Sequence, residues 1–132
     1  MNSYCSIPWV HLRLDPSGKN GLTGVSPCCK FYYEEWQTIN PDNSVANGIG
    51  NALNTEAFQG IRRDMLRGNS VKGCQNCYSD EAAGLESMRT QANSTWKLND
   101  LSTDYLHTKF IEVSLDNTCN LECKMCDSSF SS

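Results

Sequence analysis

The chain contains no run of eighteen apolar residues, so no segment reads as a membrane-spanning helix. Its first residues, MNSYCSIPWVHLRLD, lack a positively charged lead and a long apolar stretch before a small-residue cleavage site. They therefore do not read as a secretory signal. Clustered positive charge is scarce too. The 11 Lys and Arg are scattered, apart from Arg62, Arg63 and Arg67, in a chain of net charge −4 and pI near 5.0. Phosphate contacts need grouped Lys and Arg, so nucleic acid is not the expected partner. Apolar residues make up only 39% and mean hydropathy is −0.50. A core built from this composition is small and loop-rich, and metal sites would supplement it. The two histidines, His11 and His107, have no partner at metal spacing and are assigned no role.

Cysteine is the residue present in quantity, with 8 in 132 residues. Without a secretory signal they point to a reducing, cytoplasmic compartment, where thiols serve metals or catalysis more often than disulfides. The length suits one domain of ordinary size.

Residues 7–14 alternate after Pro8 and read as a strand, with Trp9 beside Val10 leaving its phase open. Asp15 to Gly21 is dense in turn formers and closes a hairpin whose return strand is Leu22 to Ser26, delivering Pro27-Cys28-Cys29 beside Cys5. Residues 37–51 are rich in Asn, Gly, Pro and Ser and read as an irregular loop. Phe58, Ile61, Met65 and Leu66 then form one face of a helix over Asn54–Arg67, capped by Asn54 or Thr55 and ended by Gly68. Cys74 and Cys77 follow on a loop. A second helix is expected from a cap at Ser79 or Asp80 to Gln91, with Ala82, Leu85 and Met88 recurring every third position. Trp9 reads as a core anchor. Glu81 and Arg89, eight apart, could share a face without touching, and a structural salt bridge or cap is expected of them rather than catalysis. Residues 93–107 read as a linker with some helix. Lys109–Leu115 is a strand with Ile111, Val113 and Leu115 on one side, flanked by Lys109, Glu112 and Asp116.

Directly after that strand, Cys119, Cys123 and Cys126 form a C-x3-C-x2-C triplet. Three thiolates on one tight loop suit an iron–sulfur cluster and leave one of four irons without a protein ligand, an open position for chemistry. Half of a zinc site and ordinary thiols are the plainer alternatives. With its preceding strand, CNLECKMC resembles the cluster loop of the radical S-adenosylmethionine (SAM) superfamily, with Met125 where an aromatic residue is common. The resemblance implies a 4Fe–4S cluster whose unique iron chelates SAM. It also implies reductive cleavage to methionine and a 5′-deoxyadenosyl radical that abstracts hydrogen from substrate.

Cys5, Cys28, Cys74 and Cys77 make a second ligand set, with Cys29 an alternative to Cys28. Four thiolates saturate either zinc or a 4Fe–4S cluster, and count alone does not choose. The opening CSIPWVHLRLDPSGKNGLTGVSPCC and the later CQNCYSDEAAGLESMR resemble the twitch/SPASM group of auxiliary-cluster domains, with Thr23 in place of a common glycine. That resemblance implies an auxiliary 4Fe–4S cluster at the quartet, for electron relay or structure.

The expected fold is α+β. A twitch-like auxiliary-cluster domain of β-hairpin and helices spans 1–93 and a linker spans 94–107. The first strand and cluster loop of an incomplete radical SAM (β/α) barrel span 108–132. Only six residues follow Cys126, so the chain reads as the front of a longer enzyme, without turnover by itself, and with residues 108–132 poorly ordered or loosely docked. The expected partners are SAM, a peptide or small-molecule substrate and an electron donor, with no nucleic acid and no membrane. The competing expectation is a non-catalytic zinc- or iron–sulfur-binding interaction module.

Overall fold

The computed structural model describes residues 2–15, 24–105, 107–114 and Lys124. The turn expected at residues 16–21, the strand start at Leu22, and Leu115, Asp116, Cys119, Cys123 and Cys126 lie outside these residues.

The chain opens with an extended segment bearing Cys5 and then makes one helical turn, α1 (Ile7–Val10). This departs from the strand expected from residue 7. Pro8 sits in the first turn of α1, where its fixed φ suits a helix start and its missing N–H costs nothing. Alternation begins one step later. β1 (His11–Asp15) pairs antiparallel with β2 (Gly24–Ser26), in register Arg13 to Ser26 and Asp15 to Gly24.

The stretch after β2 is more ordered than its composition suggests. It contains α2 (Tyr33–Ile39), an irregular crossing in which Ser44 bridges Gly24, and the turn α3 (Ile49–Ala52). α4 (Glu56–Leu66) buries Phe58, Ile61 and Met65, and Gly68 at φ 76° follows its end. Thr55 stands at its N-cap without a side-chain capping bond. Asn54 Oδ1 instead accepts from Tyr105 N at 2.7 Å and Arg62 Nη1 at 3.2 Å.

The expected second helix is two. A 3₁₀ turn (Lys72–Cys74) leads into α5 (Gln75–Ala82), so Cys77 is on a helix and not on the loop before one. Gly84, at φ 78°, breaks the path. Ser87 then caps α6 (Met88–Thr95) in a reciprocal box with Thr90, three residues on.

Residues 96–105 are no free linker. Trp96, Leu98, Leu101 and Tyr105 pack on the core, and Ser102 O accepts from Trp9 Nε1 at 2.6 Å. β3 (Phe110–Val113) then adds parallel to β1, giving a three-stranded mixed sheet in order β2-β1-β3. Residues 110–113 are thus paired in register and not loosely docked. Ile111 and Val113 face outward, 59% and 50% exposed.

The core centres on Trp9, Val25, Trp36, Leu53 and Phe58. Trp36 stacks edge-on against Phe58 at 4.8 Å and donates from Nε1 to Val25 O at 2.9 Å. Arg62 is fully buried among them. Its guanidinium donates to Pro8 O, Leu53 O and Thr103 O and lies 5.5 Å from the Phe58 ring centre, tying α1, α3 and the 101–105 segment to α4. Among the described residues, no helix is long and apolar enough to cross a membrane.

Candidate metal centre

Three separate stretches of sequence bring four cysteines to one small hollow of about 20 Å³. Cys5 comes from the opening segment, Cys28 from the turn after β2, Cys74 from the end of the 3₁₀ turn and Cys77 from the first turn of α5. Ile7, Phe31 and Met88 supply apolar wall, and Lys30 and Arg89 complete it. All four thiols are free, with Cys5 and Cys77 buried. Cys29 is exposed, its Sγ 3.7 Å from Met88 Sδ, and does not line the hollow. Adjacent residues on a turn point different ways, which is why the sequence left Cys28 and Cys29 open.

Each element is held for a discernible reason. Arg89 Nη1 donates to Asn2 O and Tyr4 O at 2.9 and 2.8 Å, and Asn93 bonds both Tyr4 O and Ser6 N, so α6 fixes the Cys5 segment. The Cys28 turn is tied to β1 by His11 Nδ1, 3.1 Å from Pro27 O. Phe31 closes it from the far side, its ring against Gly73, and Tyr32 N donates to Gly73 O at 3.0 Å. Cys74 stands at the N-cap of α5 and Cys77 in its first turn, at the helix end that favours negative charge.

Electrostatically Cys5, Cys28 and Cys74 respond to one another and to Cys77. Burial chiefly pushes Cys28 and Cys74 up to about 12 and raises Cys5 still further, and their mutual repulsion adds to it. Between them, Cys5, Cys28 and Cys74 sense every pairing within the quartet. Cys5, Cys28 and Cys74 therefore stay protonated in the metal-free chain and would release protons to a bound cation, because a coordinating thiol must ionise. Among the described residues, however, no group of three or more His, Cys, Asp or Glu is gathered closely enough to hold a metal ion. The hollow itself has room for about one water-sized particle.

Sequence reasoning left one neighbour of this site, His11, without a role. His11 is buried, stacked on Phe110 at 4.2 Å, with Nε2 3.4 Å from Glu112 Oε2, and burial lowers its pKa. Glu112 also lies 3.5 Å from Arg13 Nη1, so β1 and β3 share an ion network behind the Cys28 turn. Glu81 and Arg89, of which a structural salt bridge or cap is expected, form a two-point ion pair: Nε to Oε1 at 2.9 Å and Nη2 to Oε2. The loop through Gly84 folds α6 back on α5 and brings them together. A broader cleft of about 580 Å³, lined by Asp42, Ser44, Asn47, Asn51 and Thr55, lies apart from these groups.

No family model, curated protein or solved structure matches the chain.

Proposed function

We propose that the chain is the N-terminal portion of a radical SAM enzyme, with an auxiliary iron–sulfur domain preceding the SAM-cleaving site. The single observation that carries the auxiliary domain is that Cys5, Cys28, Cys74 and Cys77, from three stretches of chain, line one hollow. Four thiols among apolar walls are a soft donor set suited to a 4Fe–4S cluster. The hollow is smaller than such a cluster and its cysteines are not gathered closely enough to hold a metal ion, so loading requires the wall to open and the thiols to draw together. Four protein thiolates would leave no open iron, which favours electron relay or structural support over direct binding of substrate. The second site rests on the sequence alone, as Cys119, Cys123 and Cys126 lie outside the described residues. Bound there, a second cluster would supply the electron for reductive cleavage of SAM. An electron donor and a peptide or small-molecule substrate complete the scheme, in a reducing cytoplasm.

The size of the hollow favours one competing reading, a non-catalytic zinc module, because a single ion needs less room. Four thiolates at about 2.3 Å from one point would satisfy it. Anaerobic reconstitution with iron and sulfide separates the two. About eight irons per chain, with broad absorption around 400 nm that bleaches on reduction, is expected for two clusters. One tightly held zinc in a colourless protein overturns the enzyme reading.

A further inference from the structure

Between α2 and α4 lies a groove of about 330 Å³ that none of the four cysteines lines. Its floor is apolar, built from buried Phe31, Ile61 and Val71, and Ile39 at the end of α2 is left 39% exposed beside it. The α4 wall is a single stripe: Glu56, Gly60 and Asp64 recur every fourth position and all three line the groove. Gly60 is the unexpected member. Glycine inside a helix costs stability relative to alanine. Its φ is not positive, and a Cβ built there would meet nothing within 4 Å. Neither backbone conformation nor packing among the described residues calls for glycine. What the missing side chain leaves is open depth midway between two carboxylates.

Those carboxylates lack counter-charges. Lys72 lines the groove but is taken by Glu35, at 2.7 Å. Among the described residues neither Glu56 nor Asp64 has an ion-pair partner, and Asp64 Oδ1 accepts from Asn69 Nδ2 at 3.2 Å. Arg63 and Arg67 are exposed and do not line the groove. A cation on an aliphatic stem suits both the acidic wall and the apolar floor. The spacing narrows the choice. Eight residues of helix rise about 12 Å, which separates Glu56 from Asp64 along α4. In an extended chain, residues i and i+4 lie about 13 Å apart on one face, with i+2 between them. We propose that this groove docks an extended segment of a partner protein that presents two basic residues four apart. They meet Glu56 and Asp64, and an apolar side chain midway between them enters the groove over Gly60. This surface is independent of the auxiliary-cluster reading.

The test titrates the full chain into a dye-labelled peptide, Ser-Lys-Thr-Leu-Thr-Lys-Ser, and reads anisotropy. The control peptide, Ser-Leu-Lys-Lys-Thr-Thr-Ser, has the same composition with its cations adjacent. Saturable binding of the first peptide, roughly tenfold or more tighter than the control, is expected. Glu56→Gln with Asp64→Asn weakens it by about tenfold or more and flattens its salt dependence. Gly60→Leu fills the groove and weakens binding as much. Its Tm equals or exceeds the parent's, because leucine is the better helix former and the space is open. If Gly60→Leu does not fold, the carboxylate variant decides the matter alone. Absence of saturable binding, equal binding of the two peptides, or undiminished binding by either folded variant overturns the proposal. A parent chain that sediments as a dimer, dissociated by Gly60→Leu, puts a second copy in the groove and overturns it as well.

Discussion

Gly73 shows how narrowly the site's walls are set. A Cβ placed there would lie 2.0 Å from Phe31 Cζ, well inside contact distance. Gly73→Ala is therefore expected to push Phe31 off the hollow and cost about 1–3 kcal/mol in urea unfolding, the range for overpacking. No change in midpoint would show that the ring has somewhere else to go. The thiols themselves carry a pH signature. Cys28 and Cys74 rise from 9.0 to about 12 in the folded chain. Their raised values favour the folded state fully below pH 9, and that contribution is lost as pH climbs from 9 toward 12. The metal-free chain should thus lose thermal stability steeply across that window. Cys74→Ser should flatten the profile; identical slopes for parent and variant would contradict the burial of these thiols. At this scale the sequence was informative about which residues matter and silent about how they meet. The C-x2-C spacing and the isolated Cys5 and Cys28 marked a donor set. The Arg89–Glu81 contact depends on a reversal at Gly84 that no spacing rule encodes.

Among the elements, α4 was the most legible, because its apolar residues recur at helical spacing and Gly68 follows its end. α1 was hidden by a short alternating run in which Pro8 signals a helix start. The break between α5 and α6 was hidden because Ala82, Leu85 and Met88 keep a helical period across it, although Ser87 carries the capping hydroxyl. The β1–β3 pairing joins distant parts of the chain through backbone hydrogen bonds, which carry no side-chain signature. Arg62 was read only as part of a small basic group, yet it organises the elements around α4. Arg62→Ala removes donors from Pro8 O, Leu53 O and Thr103 O and leaves them to water or to nothing. A loss of about 3 kcal/mol is expected, with hydrogen exchange quickening first in residues 101–105. A loss below about 1 kcal/mol would mean that these carbonyls find other partners. The outward face of β3 behaves oppositely. With Ile111 59% exposed, Ile111→Thr should change stability by no more than about 0.5 kcal/mol. A larger loss would show that this face is covered in solution.

For the whole molecule, the described residues form one mixed sheet and six helices whose connections bring four cysteines to a single hollow. β3 pairs with β1 and precedes Cys119, Cys123 and Cys126 in the sequence. The central claim is that the quartet holds a cluster independently of the triplet. Iron, sulfide and zinc counted per chain after anaerobic reconstitution of the Cys119→Ala, Cys123→Ala, Cys126→Ala protein test it most directly. About four irons with matching sulfide and no zinc is the expected result; a single zinc, or no bound metal at all, contradicts it.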